Sequence, residues 1–180
     1  MEVHLIRVLA MLAVMGMTLL QIGRLPRPRP PLFVWLGMST GLAFVVESIG
    51  LVTALNGVPN NALYNAFVLV EFLLVLAMIR TVRRGWTPIL IATGMAGLLS
   101  VAWSYSVQGS LDFLLTEGIV ALSLLLTVLV LAVLIGLALR STLPIHRSPT
   151  FWLFMGLLVY FGGLPPLLTM SRYFYGVDTL

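Results

Sequence analysis

The sequence predicts an all-α fold, a polytopic transmembrane helix bundle of six helices, with the N-terminus and C-terminus both outside. Hydrophobic residues make up 60% of the chain and charged residues only 9%, whereas soluble domains carry about 25% charged residues. Six apolar stretches, each near the roughly 20 residues that cross a bilayer, lie between short polar turns. Together they use most of the 180 residues, so we expect a single integral membrane domain over residues 1–180.

The six helices follow these apolar stretches in order. We expect them over residues 4–22, 32–55, 61–79, 86–104, 111–139 and 149–169. The first stretch is preceded by Glu2 rather than by a basic segment, and its apolar run is too long for the core of a signal peptide. We therefore expect the first helix to be retained.

The arginines predict the orientation in the membrane. All ten basic residues are arginine, and eight of them lie in three turns, at residues 24–31, 80–86 and 140–147. The intervening turns, at residues 56–61 and 104–110, hold none. Because positively charged loops stay in the cytoplasm, the first, third and fifth turns are expected inside, in a bacterial inner membrane. The same placement explains the net charge of +4 without nucleic-acid binding.

Several kinds of chemistry are excluded by composition. The chain has no cysteine and no lysine, which excludes thiolate metal sites, cysteine nucleophiles and Schiff-base chemistry. His4 and His146 are expected on opposite sides of the membrane, so they cannot share a metal ion or a haem. There is also no H-E-x-x-H motif and no aspartate in mid-membrane. We expect no metal, no cofactor and no catalytic residue, and hence not an enzyme.

Two glutamates inside predicted membrane helices are the main candidates for function. Each such side chain costs roughly 2.5–3.5 kcal/mol to insert, which makes it a functional candidate by default. Glu47 lies in helix 2, about 12 Å from its outer end, and Glu71 lies in helix 3, about 15 Å from its outer end, at 1.5 Å per residue. Tyr64 and Glu71 are seven residues apart and share one helix face.

Other polar residues are expected in the same outer half of the membrane. We predict an outward-facing pocket that binds a ligand or a proton, with Arg7 and Glu117 at its mouth. Its lining consists of a break in helix 6, described below, and of Glu47, Glu71, Tyr64 and Asn65. The alternative is structural: a protonated glutamate can hold neighbouring helices together by hydrogen bonds.

Helix 6 contains the segment YFGGLPPLL, which we expect to break or kink the helix beside this pocket. Pro165 and Pro166 have no N–H group, so two carbonyl groups one turn earlier lose their usual partners. Freed carbonyls near Gly162 and Gly163 would then attract a cation or a proton. The alternative is that the proline pair ends a short helix near Leu164.

The segment NGVPNNALYNAFVLVEFLLVLAMIR combines paired asparagines, a tyrosine at the start of a helix, an intramembrane glutamate and a terminal arginine. With Glu47 and the segment FWLFMGLLVYFGG, it resembles a group of small polytopic membrane proteins of Bacteroidetes-type bacteria. The resemblance covers most of the chain from helix 2 onward. It implies that Glu47 and Glu71 are the positions at which a function should be tested. It implies no activity, and members of the group usually have a seventh helix. A looser similarity is to the multi-helix membrane sensor regions of bacterial signalling proteins.

Two classes of function remain open. One is a non-catalytic binding or sensor module, or an accessory subunit, whose partner is another membrane protein or a second copy of the chain. The other is a proton- or cation-coupled transporter or channel that uses the glutamates. The almost purely apolar inner half argues against a continuous polar path. In either class the lipid bilayer is the surrounding partner.

Overall fold

The computed structural model describes residues 2–111, 114–140 and 144–175, and within these ranges the chain is helical, with no strand. Its six long helices are α1 (Glu2–Gly23), α2 (Pro31–Leu55), α3 (Asn61–Val82), α4 (Thr87–Gln108), α5 (Thr116–Arg140) and α6 (Pro149–Tyr175). Each contains a segment long and apolar enough to cross a membrane. The predicted class, an all-α protein with six membrane-spanning helices, is confirmed, and the chain is a multi-pass membrane protein.

The chain divides into two compact units. The first comprises Met1–Arg84 and Ser110–Leu114, and the second comprises Gly85–Gly109 and Leu115–Leu180. In the first unit α2 packs against both α1 and α3, and in the second α5 packs against both α4 and α6. Each central helix therefore contacts its two neighbours in sequence, as short turns between antiparallel helices require.

Burial in the first unit is concentrated on α3. Phe72, Val75, Met78 and Ile79 are almost completely buried. By contrast, the membrane-span segment of α1, Leu5–Gly23, contributes no buried residue. Exposed apolar side chains are stable in a bilayer because lipid tails are as apolar as the side chains themselves.

Burial in the second unit is concentrated on α5. Leu122, Leu126 and Val130 recur every four residues and are buried, as expected for one face of a helix. Val128 and Leu139 are exposed. This segment is the most apolar of the six, with a mean hydropathy of 3.0.

The turn between α2 and α3 is closed by a glycine. Gly57 has a φ of +68°, in the left-handed region. The N–H of Val58 bonds to the carbonyl of Thr53, and the N–H of Gly57 bonds to the carbonyl of Ala54. This pair of bonds is the Schellman arrangement that ends many helices, and it needs a residue that tolerates positive φ. It brings the chain back into α3 after five residues, 56–60.

The predicted break in α6 is wrong, whereas the predicted kink stays a prediction. Pro165 and Pro166 lie inside a single helix, which neither breaks near Gly162 and Gly163 nor ends near Leu164. A proline removes one donor and crowds the preceding turn. Two of the four residues of that turn, Gly162 and Gly163, have no side chain, which lessens the crowding. The helix therefore stays continuous although two backbone donors are missing. Membrane helices often tolerate such missing donors.

The predicted start of helix 5 is also too early. Leu111, Leu114 and Leu115 are not helical, and α5 begins at Thr116. An apolar run does not by itself distinguish a helix from an apolar turn. A better signal is Glu117, since an acidic side chain in the first turn is favoured by the helix dipole.

Candidate functional site

A side-chain hydrogen bond links α2 and α3 through two of the predicted site residues. Tyr64 Oη donates to Glu47 Oε2 over 3.0 Å. Glu47 lies eight residues before the end of α2, and Tyr64 lies in the first turn of α3. Both side chains are half-buried. The structure thus brings the carboxyl group of one helix into contact with the hydroxyl group of the next.

Gly50 creates the space for this contact. It lies nearly one turn after Glu47 on α2 and is buried. A Cβ atom at this position would overlap Tyr64 Oη and lie 3.2 Å from Tyr64 Cζ. Any larger residue would therefore displace the tyrosine from the surface of α2. The absence of a side chain at position 50 allows Tyr64 to reach the glutamate.

Asn60 extends the polar contacts towards the α2–α3 turn. Its Nδ2 donates to Thr53 Oγ1 over 3.2 Å and lies 3.4 Å from the carbonyl oxygen of Gly50. Thr53 Oγ1 in turn is 3.0 Å from two carbonyl oxygens of its own helix, those of Ile49 and Gly50. We call Glu47, Gly50, Thr53, Asn60 and Tyr64 the α2–α3 cluster.

Towards the residues that the structure describes, Glu47 uses one of its two carboxyl oxygens. Among the described residues, Tyr64 is its hydrogen-bond partner, through Oε2, and no arginine forms an ion pair with it. A carboxylate can accept at both oxygens. Oε1 is therefore available for a donor or a cation from outside the described residues. Chemically, the cluster can bind a proton, a cation or a hydrogen-bond donor.

The remaining predicted site residues lie elsewhere on the helices. Asn65 is buried and Glu71 half-buried on α3, in the same unit as the cluster, and Arg7 is exposed on α1. Glu117 lies in the first turn of α5, in the second unit. Gly162, Gly163, Pro165 and Pro166 lie on α6, also in the second unit. One pocket lined by all of these residues stays a prediction.

Three members of the cluster, Gly50, Thr53 and Asn60, were not predicted as site residues from the sequence. Thr53 and Asn60 are ordinary residues for a helix end and a turn, and neither is ionisable. A usable signal exists in retrospect: Gly50 and Thr53 follow Glu47 at intervals of three residues, which places them along one side of α2. Asn60 immediately precedes α3, where it can contact the end of the preceding helix.

No metal site is evident in the part of the chain that the structure describes, where no three histidine, cysteine, aspartate or glutamate residues are grouped to hold an ion. Comparison with known proteins adds no candidate. No protein-family model, no curated protein and no solved structure matches the chain.

Proposed function

We propose that the chain is a non-catalytic membrane protein, a binding or sensor module or an accessory subunit of a membrane complex. Its α2–α3 cluster would receive a ligand or a donor group from a partner protein. The observation that carries this proposal is the bonding of Glu47, which among the described residues bonds only to Tyr64, through Oε2. A carboxyl group within a membrane span is costly, and such groups usually serve a function.

The chemistry of the cluster defines what it would bind. Glu47 offers an acceptor oxygen, Tyr64 is held beside it by a hydrogen bond, and Asn60 is held against Gly50 and Thr53. A small cation, an amine or a hydrogen-bond donor on a partner helix matches this arrangement. Because Gly50 keeps the tyrosine against α2, the donor and acceptor groups are positioned before binding, which reduces the entropic cost of association.

The proposed orientation places this cluster near the outer surface of a bacterial inner membrane. The arginine-rich turns flank α1, α3 and α5 at their carboxyl ends, whereas the α2–α3 turn beside the cluster has no charged residue. Under the positive-inside rule this turn faces outward, together with both termini. A ligand would then approach from the non-cytoplasmic side. The resemblance to small membrane proteins of Bacteroidetes-type bacteria supports the same location.

A proton- or cation-coupled transporter is the second candidate, and Glu71 favours it. This carboxyl group lies seven residues beyond Tyr64 on the same face of α3. That spacing places it about 10 Å further along the helix. A second carboxyl group beyond the first is what a short path for a proton or a cation would require.

The first test is native mass spectrometry of the protein, extracted gently from its own membrane. The expected result is a stoichiometric protein partner or a small bound mass. Glu47→Gln should abolish that association while the helix content and the unfolding midpoint stay close to those of the wild type. Tyr64→Phe, which keeps the carboxyl group, should weaken the association less.

Two results would contradict the binding proposal. If Glu47→Gln and Tyr64→Phe lower stability equally and the associated mass remains bound, the cluster only holds the helices together. If purified protein in liposomes carries a proton or cation flux that Glu47→Gln and Glu71→Gln each remove, the protein is a transporter or channel instead.

A further inference from the structure

We propose that the turn between α1 and α2 binds the phosphate group of an anionic phospholipid. The turn contains Arg24, Arg27 and Arg29. Arg24 and Arg27 are exposed, and among the described residues their side chains make no hydrogen bond or ion pair. A guanidinium group presents paired N–H donors that match two phosphate oxygens, and it does so better than an ammonium group.

Arg29 has a different role, since it holds the turn. Its Nη2 donates to the carbonyl oxygen of Gly23, the last residue of α1. The N–H of Arg24 also bonds back to the carbonyl of Leu20. Prolines at positions 26, 28, 30 and 31 restrict the backbone between the two helices. The two exposed arginines are thus carried by a turn of restricted conformation, which lowers the cost of ordering them around one phosphate.

The electrostatic surroundings favour an anion. Along α1 and α2 the nearest acidic residues are Glu2, 22 residues before Arg24, and Glu47, 18 residues after Arg29. In a helix, 18 residues span about 27 Å, well beyond the screening length of about 8 Å in physiological salt. Arg80 is exposed in the last turn of α3. Because α3 runs antiparallel to α2, it adds positive charge at the same end of the first unit.

The position of the turn identifies the source of the phosphate. It joins two helices that are each long and apolar enough to cross a membrane. Short turns between such helices lie at the level of the lipid headgroups. Each arginine near an anionic membrane surface contributes about 1 kcal/mol, or about fivefold in affinity. The two exposed arginines together therefore predict a preference of roughly 25-fold for an anionic over a zwitterionic lipid.

The test measures lipid binding to the full chain by native mass spectrometry, with phosphatidylglycerol and phosphatidylcholine in competition. The wild type should retain phosphatidylglycerol preferentially, and Arg27→Gln should reduce that preference about fivefold. The matched control is Arg147→Gln, which removes one exposed arginine from the α5–α6 turn and should leave this bound lipid in place. Arg24→Gln with Arg27→Gln should remove the preference.

Three outcomes would overturn the proposal. If Arg27→Gln and Arg147→Gln reduce the preference for phosphatidylglycerol equally, net charge, and not this turn, attracts the lipid. Retention of the preference in the double variant would place the bound lipid elsewhere. Displacement of phosphatidylglycerol by millimolar inorganic phosphate would identify a soluble phosphate compound as the occupant. Since none of these variants touches the α2–α3 cluster, the result is independent of the proposed function.

Discussion

Replacement of Gly50 by alanine should separate Tyr64 from Glu47. The new Cβ atom would overlap Tyr64 Oη and crowd Tyr64 Cζ, at 3.2 Å, so the tyrosine ring must move. Loss of an interhelical hydrogen bond in a membrane protein costs about 0.6 kcal/mol on average and up to about 1.7 kcal/mol. Overpacking adds about 1–3 kcal/mol, while alanine gains about 1 kcal/mol over glycine in a helix. The expected net loss in the free energy of unfolding is about 1–4 kcal/mol, with a central value of about 2 kcal/mol.

The control for this substitution is Gly41→Ala on the same helix. A Cβ atom at Gly41 would lie 3.8 Å from Leu19 Cδ2, an ordinary contact, so this variant should be neutral or stabilised by up to about 1 kcal/mol. A double-mutant cycle then isolates the tyrosine hydroxyl group. In a Tyr64→Phe background, Gly50→Ala still crowds the ring at Cζ but no longer meets an oxygen atom or breaks a bond, and its cost should fall by at least about 0.6 kcal/mol.

The measurement is reversible unfolding in mixed micelles, followed by circular dichroism. The reasoning is refuted if Gly50→Ala and Gly41→Ala have the same stability. It is also refuted if Gly50→Ala costs as much with phenylalanine at position 64 as with tyrosine, because the hydroxyl group would then play no part.

Two further predictions concern other helix contacts. Gly118→Ala should be less stable than the matched variant Gly156→Ala by about 1–3 kcal/mol, because its Cβ atom would lie 3.3 Å from Ser104 Cβ and from the backbone Cα of Val101 in α4. The same unfolding assay should show no loss for Gly156→Ala, which has nothing within 4 Å, and equal effects would contradict this. Arg29→Gln should loosen the end of α1 by about 1 kcal/mol, seen as about fivefold faster hydrogen exchange near Gly23. Unchanged exchange there would show that the Arg29 bond does not hold the turn.

The helices were predictable because the lengths of the apolar stretches and the positions of the turn-forming residues indicate the same helix boundaries along most of the chain. The start of α3 at Asn61 and the end of α2 at Leu55 match the prediction, since the segment between them is rich in asparagine, glycine and proline. The start of α5 was not predictable from apolarity, because Leu111, Leu114 and Leu115 are as apolar as a helix but lie outside one. Hydropathy reports burial in lipid, not backbone conformation.

The candidate site was predictable only in its ionisable and aromatic members. Glu47 was identifiable because a carboxyl group in a membrane span costs free energy to insert, and Tyr64 because it shares a helix face with Glu71. The spatial role of Gly50 depends on how closely α2 and α3 approach each other, which is a property of their packing. Similarly, Asn60 contacts Gly50 across 10 residues of sequence through the closed turn, and no local pattern encodes that contact.

The proline pair in α6 shows the limit of local rules. Pro165 and Pro166 each remove a backbone donor, and in water that usually ends a helix. In a bilayer an interrupted helix exposes more unsatisfied backbone groups than a continuous helix with two missing bonds. The continuous α6 is the arrangement with fewer unsatisfied groups.

The unequal burial of α1 and α5 has a consequence for how the chain tolerates change. In the membrane-span segment of α1 no residue is buried, whereas half of the corresponding segment of α5 is. At the exposed positions of α1, which face away from α2, an exchange among apolar residues leaves the helix packing unchanged, so leucine, valine and methionine are interchangeable there. In α5 the same exchanges change the volume of a closely packed interior, and each methylene group matters. After random mutagenesis and selection for folded protein, we therefore expect more apolar exchanges to survive in α1 than in α5.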